Sequence, residues 1–116
     1  MIEQLIARAF ASRNCAHLTH WKTRSLAEHL ATGEFYDGVI DIVDNLIECY
    51  QGNFGLIKEV PLSNHQGDIL TCLEADAIWI AENEDEITGE VDALENILQE
   101  LLGLYLKTIY KLKFLS

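Results

Sequence analysis

Residues 17–48, HLTHWKTRSLAEHLATGEFYDGVIDIVDNLIE, decide how this chain reads. The polar tetrad Lys22, Thr23, Arg24 and Ser25 separates two runs of helical periodicity. Before it, Ile2, Leu5, Ile6, Ala9, Phe10, Arg13, Ala16, His17 and His20 fall on one side at steps of three and four, which predicts a helix over 2–22. After it, Ser25 reads as an N-cap, and Glu28 three residues on completes a capping box. Leu26, Leu30, Phe35, Val39, Ile40, Val43, Leu46 and Ile47 then predict a second helix to about residue 50. Gly33 and Gly38 each weaken that helix by about 1 kcal/mol relative to alanine, and they mark either a kink or a close approach by another helix.

Working outward, residues 51–66 hold Gly52, Gly55 and Pro61 and show no helical period. Fully extended, such a segment reaches roughly 50 Å, long enough to cross a small helical bundle from end to end. Ile69, Leu70, Leu73, Ala77 and Ile80 predict a third helix over 67–82, with Trp79 as core. Ile87, Val91, Leu94, Leu98, Leu101, Tyr105, Ile109 and Leu112 predict a fourth over 86–115. Its acidic start (Glu82, Glu84, Asp85, Glu86, Glu90, Asp92, Glu95) and basic end (Lys107, Lys111, Lys113) complement the helix dipole. Two helix pairs joined by one long crossover, between helices 2 and 3, is the connectivity of a ferritin-like four-helix bundle. The expected fold is therefore all-α, with residues 1–116 as one domain.

Composition narrows the function. A net charge of −11, with 19 acidic against 8 basic residues, repels phosphate backbones and argues against general nucleic-acid binding. No apolar run is long enough to span a membrane, and the N-terminus lacks the continuous apolar stretch of a signal peptide. Cys15, Cys49 and Cys72 are odd in number and form no CxxC, so neither a thiolate zinc site nor a disulfide framework is indicated. They read as small buried residues in a reducing cytoplasm.

The chemistry-bearing residues lie in the opening stretch. His17 and His20 share a helix face, and His29, Asp37, Asp44 and Glu48 project to roughly one side of the second helix. Asp44 and Glu48, four apart, repel each other unless a cation sits between them. Imidazoles and carboxylates converging in a bundle suit Fe(II), Mn(II) or Zn(II). His65, in the long connection with Asn64 and Asp68, reads as solvated.

The segment resembles the Dps (starvation-induced mini-ferritin) branch of the ferritin-like superfamily. That family has a histidine on its first helix and a second histidine twelve residues later. An acidic residue follows four further on, then an aspartate at fifteen and a glutamate at nineteen. Here His17 and His29 are twelve apart, Asp44 lies fifteen beyond His29 and Glu48 nineteen beyond it. The middle carboxylate position is Gly33, with Glu34 one residue off and Asp37 one turn further along. The family histidine is usually followed by Trp, which here follows His20, so His20 is an alternative to His17. The chain is similar also to small proteins of tailed bacteriophages with a pattern like T-x-S-x-x-x-H…G-E-F-Y-D…D…E-x-Y-Q-G, seen here from Thr23 to Gly52.

The resemblance implies a homo-oligomer, a dimer or a multiple of it up to a dodecamer, with iron bound between subunits, oxidised and sequestered. In a phage-encoded protein the compartment would be the cytoplasm of the bacterial host. The other reading is a non-enzymatic helical protein for assembly or for binding a host or virion partner, which the missing carboxylate at Gly33 favours. Under either reading, with no basic tail, the purified protein should leave duplex DNA unshifted in a gel at physiological salt. Tight, salt-sensitive binding would mean that Lys107, Lys111 and Lys113 form a patch that outweighs the global charge.

Overall fold

In the computed structural model, which describes residues 1–65 and 67–116, the regular elements are all helices. They are α1 (Ile2–Lys22), α2 (Leu26–Phe54), α3 (Ile69–Glu82), α4 (Glu84–Thr88) and α5 (Asp92–Phe114), and no strand occurs among the described residues. The all-α expectation holds, with five helices rather than four. Gln66, in the expected connection, lies outside the described residues.

The extra helix comes from a break inside the expected last one. Gly89 takes a left-handed conformation, φ 61°, to cap α4, and Glu90 follows at φ 62°. A side chain at position 89 would also be blocked, since its Cβ would lie 2.8 Å from the Phe54 ring at the end of α2. Glycine meets both demands. Ile87, Val91 and Leu94 keep helical spacing straight across the break, so the apolar stripe alone could not reveal it.

α2, by contrast, runs unbroken for 29 residues despite its two glycines. Each marks a close approach. A Cβ on Gly33 would stand 3.0 Å from the His20 ring, and one on Gly38 would stand 3.4 Å from Leu104 of α5. Ser25 caps the helix as expected, its hydroxyl accepting the Glu28 N–H at 3.2 Å. Only half of the capping box forms, because the Ser25 N–H donates to the Thr23 hydroxyl instead. Leu26 and Leu30, expected in the apolar stripe, are 72% and 57% exposed.

The long helices pack as antiparallel neighbours: α1 lies between α2 and α3, and α5 on the opposite side also touches both. Direction follows from pairs along each seam. His20 meets His29 across α1 and α2, and Lys111 near the end of α5 pairs with Glu34 near the start of α2. Lys113 reaches Glu74 of α3, and Arg8 and Ser12 of α1 meet Asp76 of α3. The core between them is apolar, with Phe35 and Tyr105 edge to face at 4.9 Å.

One buried charge stands in that core. The Asp76 carboxylate, fully buried, accepts from Arg8 Nη1 at 2.8 Å, from the Ser12 hydroxyl and from His65 Nε2 at 2.7 Å. His65 is therefore no solvated loop residue but the tie that fastens the crossover to α1 and α3. Lower down, the Lys58 N–H donates to the Glu3 carboxylate at 2.9 Å, holding that carboxyl below its usual range. The crossover thus climbs along α1 from its first turn toward its upper half.

Removing Asp76 leaves the Ser12, His65 and Arg8 donors without their acceptor. Asp76→Ala should cost about 3 kcal/mol, the low end for a broken buried ion pair because Arg8 can rehydrate. Urea unfolding followed by circular dichroism measures it. A loss under about 1 kcal/mol would mean that the cluster contributes little to stability.

Candidate functional site

The three-residue turn between α1 and α2 places the last turn of α1 against the first turns of α2. There His20 and His29 stack, with ring centroids 3.7 Å apart and planes 18° from parallel. Each is tied to the other's backbone: His20 Nδ1 lies 2.6 Å from the His29 carbonyl oxygen, and His29 Nδ1 lies 2.8 Å from the His20 carbonyl oxygen. A carbonyl oxygen can only accept, so both Nδ1 atoms carry protons. In the neutral ring this leaves the lone pair on Nε2, and neither Nε2 has a partner among the described residues. An imidazole whose Nδ1–H is fixed by a carbonyl is oriented as metal-binding histidines are.

His17, aligned with the mini-ferritin pattern by its twelve-residue spacing, does something else. It stacks on Tyr36, centroids 4.0 Å and planes 13° apart, and touches Trp21 at 4.2 Å. Tyr36 meets His20 edge-on at 5.3 Å and has the Arg13 guanidinium over its ring at 5.6 Å. The three histidines thus belong to one cluster of rings on the α1–α2 seam, with His20 rather than His17 facing His29. The turn geometry decides this, and spacing alone does not contain it.

Asp37, Asp44 and Glu48 are exposed on α2 and stay apart from the histidines. His29 and Asp44 are fifteen residues apart on one helix, which is roughly 22 Å along its axis. Glu34 does not replace the missing carboxylate, because it turns to Lys111, whose ammonium holds the Glu34 carboxyl below its usual range. Among the described residues, no three His, Cys, Asp or Glu side chains converge to hold a metal within one chain.

Sequence reading missed the Arg8, Ser12, His65 and Asp76 cluster. Its signal was a carboxylate at an apolar position, Asp76 lying three beyond Leu73 and four before Ile80. The cluster is not a hydrolase triad, because Ser12 and Asp76 share the same nitrogen of His65, at 3.2 and 2.7 Å. A triad needs the carboxylate on the opposite nitrogen. Beside it the Tyr105 hydroxyl is fully buried and makes no hydrogen bond among the described residues. Burial, with the Asp76 charge adding to it, pushes that phenol's ionisation far up. Cys49, expected in the core, is exposed, whereas Cys72 is buried and Cys15 half-buried. Trp79 lies at the core's edge under the Arg8 guanidinium.

A family of unknown function, DUF5856, matches residues 20–112, and the chain belongs to it. The matched span takes in His20, His29, Asp37, Asp44 and Glu48 and leaves out His17. No curated protein and no solved structure matches the chain. No helix among the described residues is long and apolar enough to cross a membrane.

The Gly33 clearance gives a direct check on the histidine pair. Alanine for glycine in a helix interior normally gains about 1 kcal/mol. Here the added methyl meets a ring held on two sides, so Gly33→Ala should lose stability instead. A normal gain in urea unfolding would show that the His20 ring is free to move.

Proposed function

We propose that this member of the DUF5856 family is a ferritin-like metal-binding protein that acts as a homo-oligomer, taking up Fe(II) as substrate at a site shared between two chains. The observation that carries the reading is the His20–His29 pair, whose Nδ1 protons are fixed on carbonyls while both Nε2 atoms are bare. The neighbour order of the four long helices and the crossover strapped along α1 support the ferritin-like reading.

A second chain supplies what one chain lacks. If α2 packs antiparallel on α2 of a partner about a twofold axis near residues 36–37, residue numbers facing each other sum to about 73. Asp44 of one chain then faces His29 of the other. A cation between them relieves the Asp44–Glu48 repulsion. His20, His29, Asp44 and Glu48 are the proposed ligands, with His17 and Asp37 at the margin. Carboxylate and imidazole donors suit iron and also accept Mn(II) or Zn(II). In oxidation by peroxide, two Fe(II) each give up one electron, and the peroxide with two protons leaves as two waters.

The alternative, a phage-encoded assembly or partner-binding protein, draws on a different observation. Leu18, Trp21, Leu26 and Leu30 are all exposed around the α1–α2 turn, and that apolar tip needs no metal to dock.

Mixing separates the two. His29→Ala and Asp44→Ala should each lose at least tenfold in Fe(II) affinity by titration calorimetry while keeping full helicity. Co-refolded together, they should recover one of the two sites per mixed dimer, because both substitutions then fall in the other site. Absence of recovery would exclude a shared site. A monomer by light scattering that takes up no Fe(II), Mn(II) or Zn(II) would leave only the assembly reading.

A further inference from the structure

The seam between α1 and α3 carries a second reactive group, distinct from the histidine cluster. Ser12 of α1 bonds Asp76 of α3, and two such short side chains meet only where the helices run close. The helices are antiparallel, so one turn further along α1 lies opposite one turn back along α3. That register sets Cys15 against Cys72, and each thiol acts on the ionisation of the other across the seam. Cys72 is buried at 4% exposure. Cys15 is half-buried and forms part of the wall of an open cavity of about 540 Å³, together with Asn14, Thr19, Lys22 and His65.

We propose that Cys15 and Cys72 are joined in an internal disulfide when the protein meets hydrogen peroxide. The cavity admits the oxidant to Cys15 but not to Cys72, which sets the order of steps. The Cys15 sulfur attacks one peroxide oxygen; an S–O bond forms, the O–O bond breaks, and the departing oxygen leaves as water with the thiol's proton. The Cys72 sulfur then attacks the Cys15 sulfur; the S–S bond forms, the S–O bond breaks, and the second oxygen leaves as water with the second thiol proton. Two thiols lose two electrons and one peroxide becomes two waters.

The setting makes the bridge slow to form and slow to undo. Burial pushes both thiols above the usual thiol range, Cys72 to about 11. Little thiolate exists at neutral pH, so the rate rises with pH. The same burial makes each sulfur a poor leaving group, so the closed bridge resists reduction. It closes a loop of about 57 residues that contains α2 and the whole crossover.

The test uses the full chain with Cys49→Ser, which removes the exposed thiol. Treated with hydrogen peroxide, it should lose about 2 Da, resist alkylation after denaturation, and yield a peptide pair joined at Cys15 and Cys72. Its melting temperature should rise by roughly 10 °C and return on reduction. Adding Cys72→Ser should stop the reaction at Cys15 with a gain of about 16 Da. Oxidation of Cys15 to sulfinic acid in the Cys49→Ser protein, with Cys72 still alkylatable, would overturn the proposal. So would two free thiols after prolonged treatment at pH 9.

Discussion

The structure depends on one carboxylate placed where carboxylates seldom go. Asp76 has no solvent exposure, and its three donors come from two different segments of the chain: Arg8 and Ser12 from α1, and His65 from the crossover. An isolated buried carboxylate would be forbidding, and three donors make it tolerable only when all are present. Each apolar contact in the core could be remade at a slightly different height along the helices. The carboxylate cannot, so it sets the α1–α3 register. That register in turn fixes where the crossover ends and which residues lie opposite one another further along the seam.

The histidine pair is the local counterpart at the other seam. Its rings do not merely pack; each satisfies a backbone carbonyl near the turn that joins α1 to α2. His20 serves the first turns of α2, and His29 serves the last turn of α1. The pair therefore closes the hairpin at the point where Ser25 completes only half of its box. Gly33 is part of the same arrangement, for a carboxylate side chain there would occupy the place of the His20 ring. The departure of this sequence from the mini-ferritin pattern and the presence of the His20–His29 pair are thus one structural fact.

How much was legible follows from which signals are local. The hairpin, the cap at Ser25, the long connection and the apolar α5 stripe are carried by period and by single residue types, and they appear in the helices as expected. The break at Gly89 was hidden by an apolar stripe that keeps its spacing across it, although a glycine two residues before Val91 was a visible cue. His65 was misread because its partner, eleven residues away, is a carboxylate buried at an apolar position of α3. That His20 rather than His17 meets His29 is not contained in spacing, because a count of residues cannot say which ring a three-residue turn will bring against α2, although Trp21 after His20 already offered that alternative. Leu26 and Leu30 followed the period yet ended exposed, since they extend beyond the part of the bundle that α5 covers.

The separation of the donors is the least adjustable feature. Side chains can change rotamer, but α2 runs unbroken for 29 residues, and its rise fixes His29 and Asp44 roughly 22 Å apart along the axis. No rearrangement within one chain unites them. α2 carries His29 near its start and Asp44 and Glu48 beyond its middle, so the order that would complement these groups is its own reverse. An antiparallel copy presents that reverse with no further change of shape. The same geometry that denies a metal three ligands within one chain is what makes a twofold partner, rather than a conformational change, the way to complete the proposed site.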